Sequence, residues 1–280
     1  MPTERGTESI GSFKPGSLLA SGFFAEVFAW DTGRVLKLYA ADRARSKVER
    51  EHLVTLAAHT AGLPVPTTYE LVEVDGRTGI IFERIDGSSM RRHFQARPWK
   101  LFSYATQLAA LHAQVHGWKA PAQIPPLNQC LKERIQEAVS LSETDKQTAR
   151  RCLDQLPQGT SLCHGDFHPD NVLLSGCGPI IIDWSGGSLG YPLADVAATS
   201  LLFDYAPMPP DLALHLRLLV SLSRRALHSR YLHRYFQLRG GSRRSLEPWR
   251  LFLRATRPRQ DESERTQLLR RLENLLSASP

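Results

Sequence analysis

"SLCHGDFHPDNVLLSGCGPIIIDWSG" occupies Ser161 to Gly186. Two His, three Asp and one Asn fall in this stretch, and the last Asp closes the apolar run "PIIID". Glycines and β-formers predict a polar loop, a strand "NVLLS", a turn "GCG" and a second strand "PIIIDW". A loop of acids and histidines thus leads into a β-hairpin, and its role has to be inferred together with the rest of the chain.

Length and composition are those of a globular protein. The chain has 280 residues, of which 42% are hydrophobic and 22% charged, so one large or two smaller domains are expected. Its N-terminus lacks the basic start and apolar run of a signal peptide, and the sequence shows no apolar stretch long enough to span a bilayer. Four cysteines without metal-ligand spacing favour free thiols in a reducing cytoplasm.

Positive charge is concentrated near the C-terminus. Residues 201–280 contain fifteen Arg, no Lys and seven acids, whereas residues 1–200 carry a balance of −1. These arginines alternate with Leu and aromatic residues at helical spacing, which favours solvated amphipathic helices over a nucleic-acid surface.

Hairpin signals dominate residues 17–85. "EVFAW" and "VLKLY" flank the turn "DTGR", and Asp75-Gly76 separates "YELVEV" from "GIIFERI", as in antiparallel hairpins. Between them, "DRARSKVEREHLVTLAAHTAG" predicts a helix that ends at Gly62 and has apolar positions at Val48, Leu53, Leu56 and Ala57.

Helical patterns prevail after residue 86. "WKLFSYATQLAALHAQVHGW" has the period of a helix with one buried face, and two further helices are expected in 128–156. The chain is therefore predicted to be an α+β, bilobal protein: residues 1–85 form a small antiparallel β-sheet lobe with one helix, and residues 86–280 a larger, mainly helical lobe. The interface of two such lobes is the expected place for a ligand.

Three residues of the first lobe are candidate phosphate-site residues. Gly22 lies at a turn between strands, where backbone amides can meet phosphate oxygens. Lys37 lies on one face of an apolar strand, and Glu51, fourteen residues later, could pair with it from the predicted helix. Taken singly, a hairpin glycine and an exposed helical Glu are the simpler interpretations.

The stretch 161–186 allows three interpretations. In the first, a hydrolytic metal site, the alternating ligands on one strand face would be His164, Asp166, His168 and Asp170. However, Pro169 breaks a strand there, and no third His-rich segment follows. A purely structural loop would leave the acid at the end of the second strand unexplained. In the third interpretation, phosphoryl transfer, Asp166 accepts the proton of a substrate hydroxyl, and Asn171 and Asp183 hold Mg²⁺ through hard oxygen atoms.

The motifs "HGDFHPDN" and "IIDW" resemble the catalytic loop and the metal-binding Asp of the aminoglycoside phosphotransferase-like family, relatives of the protein kinases. The resemblance covers nearly the whole chain. It implies ATP or GTP and Mg²⁺ as cofactors, with Asp166 as the base. The residues that it implies for the nucleotide are Gly22, Phe23, Phe24, Lys37 with its partner Glu51, and the backbone of Glu83 and Ile85; for the metal they are Asn171 and Asp183, and for support of the loop His164 and Asp195.

The acceptor is expected to be a small molecule with a hydroxyl group. A polycationic aminoglycoside would require carboxylates, whereas the C-terminal region offers Arg, so a neutral or anionic acceptor is favoured. A protein kinase is disfavoured because only eleven residues separate Asp183 from Asp195. A nucleotide-binding module without turnover would lack the base, the Lys or a metal ligand, and all are present. The oligomeric state is left open.

Overall fold

A computed structural model describes residues 16–118, 123–205, 208, 211, 213–257 and 261–278. Residues 1–15, most of the N-terminal stretch that was expected not to be a signal peptide, lie outside the described residues. The described residues form two compact units. One comprises those up to Met90 together with Asp170–Gly187, and the other those of Arg91–Pro169 and Ser188–Pro280. The division into 1–85 and 86–280 stays a prediction.

The first unit is built on a five-stranded antiparallel sheet. The strand order is β1-β2-β3-β5-β4, and the strands are β1 Leu18–Ser21, β2 Ala25–Ala29, β3 Arg34–Tyr39, β4 Thr68–Val74 and β5 Arg77–Glu83. Asp75 and Gly76 have φ of 51° and 72°, as a two-residue hairpin turn requires. The predicted hairpins are thus confirmed.

Helix α1, Arg45–Thr60, packs on this sheet with a face that differs from the prediction. Its buried residues are Val48, Glu51, Val54, Thr55 and Ala58. The predicted Leu53 and Leu56 are exposed. The face is set by its partners in space, because the charge of Lys37 draws Glu51 inward, and this cannot be inferred from apolar spacing alone.

A second, three-stranded sheet in the first unit joins distant parts of the chain. Strand β6, Gly87–Ser89, pairs with β8, Val172–Ser175, which forms a hairpin with β9, Gly178–Ile181. The β8–β9 hairpin is the one predicted from "NVLLS" and "PIIIDW". The short β6 was not predicted, because three residues carry no periodic signal.

Helices dominate the second unit. They are α2 Met90–Ala96, α3 Leu101–Gly117, α4 Leu127–Glu137, α5 Glu143–Gln155, α6 Pro192–Tyr205, α7 Leu214–Arg239, α8 Arg243–Ala255 and α9 Glu262–Ser277. Strand β7, Ser161–Cys163, pairs antiparallel with β10, Ser188–Gly190. The buried face predicted for α3 is confirmed at Tyr104, Ala105, Leu108, Leu111 and Val115. Among the described residues, no helix has both the length and the apolar character needed to cross a membrane.

Candidate active site

Lys37 lies between two carboxylates in the first unit. Its Nζ is 2.7 Å from Glu51 Oε1 and 2.9 Å from Asp183 Oδ1. The Glu51 side chain is only 1% exposed, and its Oε2 accepts a hydrogen bond of 2.7 Å from Tyr39 Oη. Because side chains alternate along β3, Lys37 and Tyr39 lie on one face and reach the same Glu51. The structure thus brings three predicted site residues, Lys37, Glu51 and Asp183, into one ion cluster.

Electrostatics determine the protonation of Lys37 and Tyr39. Burial by itself lowers the pKa of Lys37, but the neighbouring Glu51 and Asp183 carboxylates outweigh it, so that the pKa is raised. Burial and the nearby Glu51 raise the pKa of Tyr39 well above its ordinary value. Lys37 therefore remains a cation, and the Tyr39 hydroxyl keeps its proton, at neutral pH.

Replacing Lys37 by Ala is expected to destabilise the fold by about 3–5 kcal/mol, because Glu51 would be left buried without its cation. Urea unfolding measures this change. The double variant Lys37→Met with Glu51→Gln should recover most of the loss.

Lys132 provides the control. Its Nζ lies 2.7 Å from Asp154 Oδ1, as close as in the buried pair, but both side chains are exposed. Lys132→Ala should cost less than about 1 kcal/mol. Equal losses for the two single variants would contradict the burial argument.

The β8–β9 hairpin determines the positions of the two predicted metal ligands. Asn171 precedes β8 and is 8% exposed, and its carbonyl accepts the Ile182 amide at 2.9 Å. Asp183 comes immediately after Ile182 and has a left-handed φ of 63°. The next residue, Trp184, is fully buried and donates from Nε1 to the Ile181 carbonyl. A buried Trp and a paired backbone thus hold Asp183 in a conformation that non-glycine residues adopt rarely.

The turn after β1 presents two exposed aromatic rings. The Gly22 amide donates to the Ala25 carbonyl at 2.9 Å, so it is used within the turn. Phe23 is 90% exposed and Phe24 51%, and the two rings meet edge to face. The Arg43 guanidinium lies 4.6 Å from the centre of the Phe24 ring.

The end of β5 and the residues after it contain the backbone predicted to bind the nucleotide, that of Glu83 and Ile85. The Glu83 amide donates to the Thr67 carbonyl at 2.9 Å, while the Glu83 carboxylate accepts from the Thr67 amide and hydroxyl at 3.0 Å each. Phe82, before it, is buried, and Ile85, after it, is partly buried. The backbone of this connector is therefore anchored to the loop before β4.

The second unit holds the predicted base. The Asp166 side chain is 46% exposed, and its Oδ2 lies 3.4 Å from His168 Nε2. The Asp166 amide donates to Nδ1 of the buried His164 at 3.3 Å. His168, which the sequence offered as a candidate metal ligand, thus lies beside the predicted base.

Asp195 accepts hydrogen bonds from the backbone immediately before Asp166. Its Oδ2 accepts the His164 amide at 2.5 Å and its Oδ1 the Gly165 amide at 2.9 Å. Burial raises the pKa of the Asp195 carboxyl, but His112 and His116, which bond to it, hold the pKa well below the usual range. Asp195 is thus an acceptor-only carboxylate in a fully buried position.

His112 should make the protein sensitive to acid. Burial and the neighbouring His116 lower the pKa of His112 from 6.5 to about 4. Between these values the unfolded chain binds the proton more tightly than the folded one, so stability falls as the pH falls through this window. For this group the loss from neutral pH to pH 5 is about 2 kcal/mol.

Urea unfolding at the two pH values tests this expectation. In His112→Gln the pH-dependent loss should be smaller by about 2 kcal/mol, whereas the exposed His233→Gln should keep the wild-type difference. An unchanged pH dependence in His112→Gln would show that His112 is not the group responsible.

The sequence model of a family described as the phosphotransferase enzyme family, APH, matches residues 16–249. The chain belongs to this family. The match includes parts of both units and every predicted site residue. The chain is therefore a small-molecule phosphotransferase, as the resemblance of "HGDFHPDN" and "IIDW" implied. No curated protein matches the chain significantly.

Solved structures share the fold at low sequence identity. A choline/ethanolamine kinase family protein from Mesorhizobium loti is 16% identical, with a TM-score of 0.55 over 96% of this chain and 90% of that one. A thermostable mutant of aminoglycoside phosphotransferase APH(4)-Ia, in a ternary complex with AMP-PNP and hygromycin B, is 18% identical, with a TM-score of 0.56 over 96% and 95%. Amicoumacin kinase hAmiN, in complex with AMP-PNP, Ca²⁺ and Ami, is 14% identical, with a TM-score of 0.56 over 94% and 88%. The predicted fold class, α+β and protein-kinase-like, is confirmed.

Proposed function

We propose that this phosphotransferase transfers the γ-phosphate of ATP to a hydroxyl group of a neutral or anionic small molecule, with Asp166 as the base. The observation that carries the proposal is Lys37, held within 3 Å of both Glu51 and Asp183. A cation fixed between a buried helical acid and the acid at a strand end suits a triphosphate. Since the reaction consumes ATP, the cytoplasm is the expected compartment.

Asn171 and Asp183 fit a magnesium ion. An amide oxygen and a carboxylate are hard oxygen ligands of the kind that Mg²⁺ takes together with phosphate oxygens. They flank one hairpin and are joined through the bond from the Ile182 amide to the Asn171 carbonyl. When bound, Mg²⁺ would neutralise charge on the phosphates. AMP-PNP and Ca²⁺ in the amicoumacin kinase structure support this assignment.

The nucleotide is assigned to the first unit. The Lys37 ammonium would pair with phosphate oxygens, and the amides of Phe23 and Phe24 would meet the phosphates, because the Gly22 amide already donates to Ala25. Since the Glu83 amide already donates to Thr67, Glu83 would meet adenine through its carbonyl oxygen and Ile85 through its amide.

Asp166 would take the proton of the acceptor. The hydroxyl proton passes to the Asp166 carboxylate, the hydroxyl oxygen forms the new bond to the γ-phosphorus, and the bridging oxygen leaves with ADP. A carboxylate that is 46% exposed can be reached by such a hydroxyl, and the bonds from His164 and Gly165 to Asp195 would orient it.

Charge pairing supports the acceptor class. Asp204 lies 2.7 Å from Arg250 and 3.2 Å from His228, so its charge is already compensated. A cavity of about 310 Å³ in the second unit has this Asp in its wall together with Arg224 and Arg225. Other acids of the C-terminal region also face arginines, including Glu247 with Arg271 and Glu264 with Arg254. Such surroundings suit neutral or anionic compounds better than a polycation.

Mg²⁺-dependent ADP release tests the function. The purified protein is offered aminoglycosides, macrolides, sugars, amino alcohols, hydroxy acids and a hydroxyl-bearing peptide, with the Asp166→Asn variant as blank. Release with one class of small molecule, absent in the variant, would support the proposal. Release only with the peptide would favour a protein kinase, and ATP binding without any release would favour a module without turnover. Selective turnover of aminoglycosides would refute the acceptor class.

A further inference from the structure

A buried cluster of five polar side chains in the second unit is centred on Asp195, which is one of the five. His112 and His116 of α3 place their Nε2 atoms 3.1 Å and 3.3 Å from Asp195 Oδ2. Both histidines and the Asp195 side chain are fully buried. Because the Asp195 carboxylate can only accept, both Nε2 atoms must carry hydrogen and donate to it.

Two tyrosines of α7 complete the cluster. Tyr231 Oη lies 2.6 Å from Nδ1 of His112, and Tyr235 Oη lies 2.7 Å from Nδ1 of His116. The second His–Tyr pair lies four residues, about one helical turn, after the first on both α3 and α7. The two helices therefore run in the same direction where they touch. Burial raises the pKa of Tyr231 well above its ordinary value, and its hydroxyl therefore keeps the proton that it donates to the neutral His112.

The same cluster holds the chain on both sides of Asp166. Before it, Asp195 accepts the amides of His164 and Gly165, and Gly165 has a φ of 82°, which favours glycine. After it, the Phe167 ring stacks on His112 with ring centres 4.1 Å apart. One polar cluster thus fixes the backbone from residue 164 to residue 167.

We propose that Tyr231 and Tyr235 are positioning residues for phosphoryl transfer: through His112 and His116 they hold Asp195, and so the loop that carries Asp166. This inference rests on the proposed role of Asp166 as base. Neither tyrosine belongs to the loop or carries a sequence motif. Each tyrosine would act on Asp195 through two successive hydrogen bonds, one from tyrosine to histidine and one from histidine to Asp195. The effect would be on the geometry of Asp166 rather than on the affinity for the nucleotide.

A metal ion is the competing explanation. His112, His116 and Asp195 are a set of potential ligands within the described residues. The cluster is better explained by hydrogen bonds, because both carboxylate oxygens of Asp195 already accept backbone amides, and each Nδ1 has a tyrosine hydroxyl beside it. Stoichiometric transition metal in the purified protein would overturn this explanation and the proposal with it.

Tyr231→Phe and Tyr235→Phe test the proposal, since each removes a hydroxyl and keeps the ring. We expect kcat to fall about tenfold in each variant with KM for ATP within about twofold, because misplacement of a catalytic group lowers turnover more than binding. Tyr104→Phe, a buried tyrosine of α3 outside the cluster, should leave kcat unchanged. Equal kcat in wild type and both cluster variants would overturn the proposal. So would a decrease in kcat that is proportional to the decrease in the free energy of unfolding across all three variants.

Amide hydrogen exchange of the free protein provides a readout that does not depend on turnover. Exchange at the His164 and Gly165 amides should be at least about tenfold faster in the two cluster variants than in wild type and Tyr104→Phe. Unchanged exchange would overturn the proposal whatever the activity. If wild type itself transfers no phosphate while the variants still exchange faster, the proposed function fails, and the coupling of the tyrosines to the loop stands.

Discussion

Replacing Asp166 by Asn is expected to lower kcat by about 10²–10⁴-fold, the usual contribution of a general base, while ATP binding stays near the wild-type level. Asn keeps the size of the side chain but cannot take a proton from the acceptor hydroxyl. The loop should keep its conformation, because Asp195 holds it through the amides of His164 and Gly165 rather than through the Asp166 side chain. Steady-state ADP release and ATP titration by calorimetry measure the two quantities.

Asp170→Asn is the matched control for this experiment. It makes the same chemical change four residues along, at a side chain that accepts a hydrogen bond from Ser89 Oγ at 3.2 Å in the first unit. Its kcat should stay within about threefold of wild type, as for a group outside proton transfer. If Asp166→Asn retains most of its turnover, the assignment of the base is wrong.

Replacing Asp183 by Asn is expected to raise the Mg²⁺ concentration needed for half-maximal activity by at least about tenfold and to lower kcat by about 10²-fold. The reason is that the proposed metal site would lose a charged oxygen ligand and Lys37 would lose one of its two carboxylate partners. Asn is the suitable replacement because residue 183 has a φ of 63°. Asn adopts this region more readily than other non-glycine residues, whereas Ala would add about 1–2 kcal/mol of strain.

Asp75→Asn controls for the backbone. Asp75 also has a left-handed φ, 51°, in the turn between β4 and β5, but it lies outside the proposed metal site. The Mg²⁺ dependence of this variant should match that of wild type. A wild-type Mg²⁺ dependence in Asp183→Asn would remove Asp183 from the metal site, and a shift in both variants would point to a general effect of the substitution.

Local patterns predicted most strands of the first unit and the buried face of α3 in the second. The hairpin at Asp75-Gly76 and the buried face of α3 follow from turn chemistry and from a period of 3.6, which are properties of neighbouring residues. The buried face of α1 was predicted wrongly at Leu53 and Leu56. The burial of Glu51 on this helix depends on a cation, Lys37, that comes from strand β3. Strand β6 was not predicted from the sequence, because it pairs with β8, whose residues lie more than eighty positions away in the chain.

The histidines and tyrosines around Asp195 show the same limit. The sequence contains their spacing, 112 with 116 and 231 with 235, but a single His or Tyr on a helix is equally well explained by ordinary core packing. Hydrogen bonds between residues 119 positions apart in the chain become visible only when α3 and α7 are placed side by side.

The sequence by itself determined the family and the α+β fold class, and it predicted the residue types for phosphoryl transfer, because the motifs that carry them are short and contiguous. Only the tertiary structure decided that Lys37 contacts Asp183 as well as Glu51, which face of α1 is buried, and that α7 reaches Asp195 through two histidines. The physical reason is that buried charges and polar groups must find partners, and those partners are selected by distance in the folded chain rather than by separation along it.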